Sequence, residues 1–134
     1  MSMCKTKSYL IIGDPVPLAR ARLSNSRFFD SQKAHKLNFG LQIQNQHENL
    51  PPFTGPLKID VAFYFPKTKS ISLKRWETLK GKPHVYRPDI DNLLKFVLDA
   101  SAPILFREDC IIAEANCKKE YGEIARTEFT ISVL

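Results

Sequence analysis

The segment from Arg87 to Asp99 reads Arg-Pro-Asp-Ile-Asp-Asn-Leu-Leu-Lys-Phe-Val-Leu-Asp. Two carboxylates, Asp89 and Asp91, stand one residue apart just after a proline. A lysine follows at Lys95 and a further aspartate at Asp99. Asp91, Lys95 and Asp99 are spaced i, i+4, i+8 and share one face of a helix. Ile90, Leu94, Val97 and Leu98 fall on another face and are expected to be buried. A second acidic pair, Glu108-Asp109, follows in the loop before a strand. Carboxylates converging in this way make an oxygen-rich site for Mg²⁺ or Mn²⁺. Such a cation polarises a phosphate and lowers the pKa of a bound water. Lys95, one turn after Asp91, is placed to stabilise negative charge in a transition state. The plainer reading has Asp89 as a helix cap, Asp91 complementing the helix dipole and Asp91–Lys95 as an ordinary ion pair.

The surroundings of this segment are basic. The chain has 134 residues and a net charge of +6. Residues 1–88 hold 15 Lys+Arg against 5 Asp+Glu, whereas residues 89–134 hold 5 against 9. A basic body with a local acidic cluster suits a polyanion held next to a metal. Lys67, Lys69, Lys74, Arg75, Lys80, Lys82 and Arg87 lead into the acidic segment, with Glu77 the only acid among them. They are expected to contact nucleic-acid phosphates. Trp76 and Tyr86 are interleaved with them: an aromatic there can stack on an unpaired base, although Trp76 reads better as a core anchor for the loop. Arg20, Arg22 and Arg27 form a second basic group. His35, His47 and His84 have no metal-ligand spacing and are expected to pack or face solvent.

The elements that must position these residues are legible from periodicity. Tyr9–Ile12 reads as a first strand ended by Gly13-Asp-Pro-Val-Pro. A loose helical pattern runs from an N-cap at Asp30 or Ser31 to about Glu48, with Ala34, Leu37 and Leu41 as its apolar positions. Leu57–Phe65 alternates cleanly as a strand. Lys74–Lys80 reads as a short helix, and Asp89 to about Ala102 as the main one. Cys110–Tyr121 and Ile124–Leu134 read as two strands joined at Gly122 in an antiparallel hairpin. In the former, Ile111, Ala113, Ala115 and Cys117 share a face. The expected fold class is α+β: one domain over residues 1–134, with a mixed or antiparallel four-stranded sheet and helices packed on one face. No apolar run approaches the roughly 18 residues of a membrane span, and the N-terminus has no signal-peptide core. Cys4, Cys110 and Cys117 show no CxxC spacing and read as reduced thiols of a cytosolic protein.

The stretch from Arg87 to Ala100 resembles the signature of the RusA family of Holliday junction resolvases: Pro/Arg-Asp-x-Asp-Asn-Leu-x-Lys-x-x-x-Asp-Ala, then a short loop ending in paired acids. Here those acids are Glu108-Asp109. Gly13-Asp-Pro-Val-Pro after the first strand, with Arg20 and Arg22, is similar to the family's opening. The family's Trp-x-Asp-Asp is replaced by Phe106-Arg-Glu-Asp, with Phe106 expected to take over as a core anchor. The resemblance implies a homodimeric, Mg²⁺-dependent endonuclease that cuts four-way DNA junctions by paired, symmetrical nicks. It implies a cytoplasmic protein of bacterial or phage origin. It makes Asp89, Asp91 and Asp109 the metal-binding carboxylates and Lys95 the catalytic lysine, with Asp99 structural. Two other readings remain at this point: a nuclease of the same fold acting on other branched DNA, and a branched-DNA-binding module without catalysis.

Overall fold

In the computed structural model, residues 5–19, 22–24, 27–29 and 32–134 are described. The strands are β1 (Thr6–Ile12), β2 (Arg22–Ser24), β3 (Arg27–Phe29), β4 (Leu57–Phe65), β5 (Ile112–Tyr121) and β6 (Arg126–Val133). The helices are α1 (Lys33–His47), α2 (Leu73–Leu79) and α3 (Ile90–Ser101), and a 3-10 turn spans Asp109–Ile111. The fold is α+β, with a mixed four-stranded sheet ordered β1-β6-β4-β5 and a small β2-β3 hairpin. The expected N-caps Asp30 and Ser31 lie outside the described residues, and Gln32 occupies the N-cap position of α1.

β4 takes a central place because it is apolar on every second residue. Leu57, Ile59, Val61 and Phe63 are buried on the helix side, where α1 and α3 cover the sheet. Phe129 and Ile131 from β6 join them, with Phe96, Leu105 and Phe106 from α3 and its following loop. Phe106 is fully buried, as expected of a residue standing in for tryptophan. Each such side chain stabilises the fold by about 1.5–3 kcal/mol. The opposite face is polar. Lys58 pairs with Glu114 (3.2 Å), Lys118 with Glu120 (2.6 Å) and Arg126 with Glu128 (2.9 Å).

Three expectations are corrected. First, β5 and β6 are not a hairpin. β5 runs parallel to β4 on one side, and β6 runs antiparallel to β4 on the other. Residues 122–125 carry the chain across the end of β4, where the Gly122 amide donates to the Phe65 carbonyl (3.0 Å). A Cβ on Gly122 would meet the Tyr64 ring at 3.0 Å, so the glycine serves this crossing rather than a tight turn. Second, α1 buries Phe39, Ile43 and His47, and leaves Leu37 and Leu41 exposed. Its flank toward β1 carries Gln42 and Gln46, whose amides bond both the N–H and the C=O of Ile12 and Leu10. Side chains thereby take the place of a neighbouring strand along the β1 edge at Leu10 and Ile12. Third, α3 buries Leu93, Phe96, Val97 and Ala100. Of the residues expected to be buried, only Val97 is. Ile90 is exposed, and Leu94 and Leu98 are half-buried.

Candidate active site

The parallel pair β4 and β5 ends where α2 and α3 begin, and this end of the sheet gathers most of the residues singled out above. Trp76 of α2 is buried with its ring edge-on to Tyr121 (6.0 Å between centroids), a packing role. The chain then passes along the outer side of β5. Tyr121 bonds Lys82 and Gly81, and the His84 amide donates to the Lys119 carbonyl (3.0 Å). Lys119 reaches back, its ammonium donating to the carbonyls of Tyr86 (2.5 Å) and Pro88 (2.7 Å). The Arg87–Pro88 peptide bond is cis. This lysine therefore holds the stretch that delivers Asp89. On the other flank, the Leu18 amide donates to the Asn92 carbonyl (2.8 Å), tying the segment after β1 to the first turn of α3.

Asp89 is the N-cap residue of α3, in extended conformation, yet its side chain makes no capping hydrogen bond. The contrast is Ser72, whose hydroxyl accepts from the Arg75 amide at the start of α2. Asp91 follows in the first turn of α3. Among the described residues, neither carboxylate has a hydrogen bond or ion pair, and the expected Asp91–Lys95 pair is not formed. Both border an open depression whose walls include His84, Tyr86, Lys118 and Lys119. Lys95 is exposed on the next turn. Asp99 is engaged elsewhere, paired with Lys36 of α1 at 2.8 Å.

Asp109 does not join them within one chain. α3 runs away from this end, and the 3-10 turn with Asp109 precedes β5 at the far end of the sheet. From Ile112 to Lys119, beside the Asp89 segment, the strand covers about 23 Å at roughly 3.3 Å per residue. Among the described residues, no three acidic, histidine or cysteine side chains come together as a metal site. The expected convergence of both acidic patches is thus not a property of a single chain, because the strand that returns from Asp109 starts where α3 ends. Glu108 accepts a hydrogen bond from the Cys110 thiol at 3.5 Å, which raises the thiol's pKa. Cys110 and Cys117 are free thiols.

The chain belongs to the RusA endodeoxyribonuclease family. The family model described as Endodeoxyribonuclease RusA matches residues 13–132, nearly the whole length. The chain is also similar to YqaN, an uncharacterized protein of Bacillus subtilis (strain 168): 28% identical over 132 residues that cover 92% of this chain and 93% of YqaN. Membership carries DNA endonuclease activity and binding of branched DNA as the family's properties. No helix among the described residues is long and apolar enough to cross a membrane.

In this RusA-family chain the basic connection divides. Lys69, Lys74, Arg75, Lys82 and Arg87 are exposed, and Lys67 is half-buried. Lys80 is bound to Glu123 (3.2 Å) and Glu77 (3.5 Å). The Glu123 hydrogen bond, with Glu77 beside it, raises its pKa. It is the least available of the seven for phosphate. Arg20 lies outside the described residues, and Arg22 is described only as the first residue of β2.

Two residues of this end were not singled out from sequence. Lys119 shares strand parity with Ala115, Cys117 and Tyr121, on the side facing the helices. A lysine on that side was the signal available. His84 lies against the Phe65 ring (4.1 Å between centroids) and near Tyr121 (4.9 Å), the packing role that is the default for a histidine. Burial, with the Lys119 ammonium nearby, pushes its pKa below the ordinary value. The unfolded chain thus binds a proton on His84 more readily than the folded one. The resulting stabilisation is complete above the unfolded pKa, about 6.5, and is lost as pH falls through the folded one. Thermal melts should show the midpoint falling as pH drops below about 6.5, with a shallower decline in His84→Phe. Identical pH slopes in the two proteins would remove this account of His84.

Proposed function

We propose that this protein is a Mg²⁺-dependent, structure-selective endonuclease that resolves four-way DNA junctions by paired, symmetrical nicks, acting as a homodimer. The observation that carries the reading is Asp89. A residue at a helix start whose carboxylate does no capping, with Asp91 beside it and both exposed, is available for a ligand. Exposed aspartate oxygens fit a hard cation, and Mg²⁺ is commonly held by one or two carboxylates together with substrate phosphate. The carboxylates assigned to it are Asp89, Asp91 and Asp109. When bound, the cation supplies Lewis-acid polarisation of the scissile phosphate and a more acidic water. Mn²⁺ meets the same demands.

The chain's own residues do the rest. Lys69, Lys74, Arg75, Lys82 and Arg87 bind the backbone of a duplex arm, and Arg20 and Arg22 are assigned to the same task. Tyr86, 60% exposed, offers a ring to the unstacked base at a branch point. Lys95 places its ammonium near the phosphate oxygens as their charge grows, and Lys119 positions Asp89 through the Pro88 carbonyl. The hydrolysis leaves ligatable ends.

The dimer follows from two needs. Symmetrical nicking needs two sites related by a two-fold axis. Asp109 stands just before β5, about 23 Å of strand from Lys119, which holds the Asp89 segment, so it joins Asp89 and Asp91 only as the partner's Asp109. A panel of four-way junction, flap and linear duplex tests the substrate class. Paired nicks confined to the junction are expected. Equal cutting of flaps would make the protein a general branched-DNA nuclease, and junction binding without cutting would make it a binding module.

A further inference from the structure

We propose that Lys119 is a substrate-binding residue: its ammonium takes a phosphodiester of the DNA strand that lies in the depression beside Asp89 and Asp91. The choice of DNA as the source of that phosphate rests on the reading above.

Lys119 is half-buried near the end of β5, two residues after Cys117, which packs against the core. A lysine in such a place ordinarily meets a carboxylate, because a cation drawn out of water needs a compensating charge. Lys36 and Lys58, half-buried as well, meet Asp99 at 2.8 Å and Glu114 at 3.2 Å. Lys118, the neighbour in sequence, meets Glu120 at 2.6 Å. Lys119 has no such partner among the described residues. It donates instead to two neutral oxygens, the carbonyls of Tyr86 (2.5 Å) and Pro88 (2.7 Å). These satisfy two of the three N–H donors of an ammonium. The third donor has no acceptor among the described residues, and the net charge is not compensated.

The position of this charge identifies the ligand. Around the depression, Arg87, Lys118 and Lys119 stand against Asp89, Asp91 and Glu120, so the fixed charges cancel. Without Lys119 the rim would be net negative and would repel a polyanion. Pro88 is the residue before Asp89, so a phosphate on Lys119 lies beside the backbone that carries the first carboxylate. Preorganisation adds to the effect. The exposed Lys69, Lys74 and Lys82 lose rotamer freedom when they meet a phosphate. Lys119 has already lost it to the two carbonyls, and its third N–H is offered at little further cost in order.

The test is junction binding by the full chain in EDTA, measured over a range of salt concentrations. Without metal, neither catalysis nor cation affinity contributes. Lys119→Gln removes the charge and keeps an NH₂ group for the carbonyls. It should weaken binding by about 10-fold or more. The plot of log affinity against log salt should become shallower by about 0.9, the share of one phosphate contact. The same change should appear in an Arg87→Ala background, where a Lys119 that served only to place Arg87 would add nothing. If Lys119→Gln does not fold, acetylation of the wild type decides. Junction DNA should protect Lys119, read by mass spectrometry of its peptide, and leave Lys58 on the polar face as reactive as before. An unchanged slope, a change of slope that vanishes in the Arg87→Ala background, or an unprotected Lys119 overturns the proposal. Junction binding with the expected slopes but no cutting would leave it standing and fail the nuclease reading. Cutting of junctions with an unchanged slope would do the reverse.

Discussion

Asp89→Asn should reduce junction cleavage by about 10³-fold or more while leaving junction binding and the melting temperature nearly unchanged. The substitution keeps the size of the side chain and removes the charge that would hold a cation. Loss of one group acting on the transition state costs about 10²–10³-fold, and loss of a metal ligand removes the cation's share as well. Stability is spared because the Asp89 carboxylate makes no capping bond, and asparagine serves an N-cap as well as aspartate. Asp91→Asn should behave alike. Asp99→Asn is the internal control: it breaks the half-exposed pair with Lys36, a surface contact of about 0–1 kcal/mol, and should keep its activity. Cleavage and binding assays on purified variants check this. Wild-type rates for Asp89→Asn would reduce Asp89 to a helix-start residue and nothing more.

Mixing two inactive variants should restore cleavage. In a dimer of one Asp89→Asn chain and one Asp109→Asn chain, a site built from Asp89 and Asp91 of one protomer and the partner's Asp109 occurs twice. One copy contains both substitutions and the other contains neither. The intact copy should nick one strand, so co-refolded or exchanged subunits should gain single-strand nicking from a background near zero. If Asp109 instead served the Asp89 and Asp91 of its own chain, every site in the mixture would be damaged and no activity would return. The expectation follows because Asp109 precedes the start of β5 and Lys119 lies near its end. Because the homodimers of each variant stay inactive, the gain is read against nearly no signal.

Much of this architecture is legible in the sequence, for identifiable reasons. β4 and β6 each bury every second residue, so alternation located them. α3 announces itself by Pro88, Asp89 and a dense apolar pattern. Its buried face was misplaced by a fraction of a turn, since Ile90, Leu94 and Leu98 are as apolar as Leu93, Phe96 and Val97. What differs between the two sets is whether the same chain covers them. α1 misled in another way, because Gln42 and Gln46 hold a strand edge through hydrogen bonds and so erase the apolar stripe expected on that side. The order of the strands was not legible. A glycine between two strands reads the same in a hairpin as in a connection that crosses an intervening strand, and only the pairing of both strands with β4 distinguishes them. At the site, Asp89, Asp91 and Lys95 fall close together because nearby positions on one helix fix them. Asp109 depends on the direction of β5 relative to α3, which no local pattern encodes.

The most direct measurement is cleavage of a synthetic mobile four-way junction in Mg²⁺ and in EDTA, beside a linear duplex of the same sequence and the Lys95→Ala variant. Symmetrical nicks in the junction alone, present with Mg²⁺, absent with EDTA and reduced at least about 100-fold in Lys95→Ala, are the predicted result. Tight junction binding with no cleavage in either Mg²⁺ or Mn²⁺, or equal cutting of the linear duplex, would contradict it.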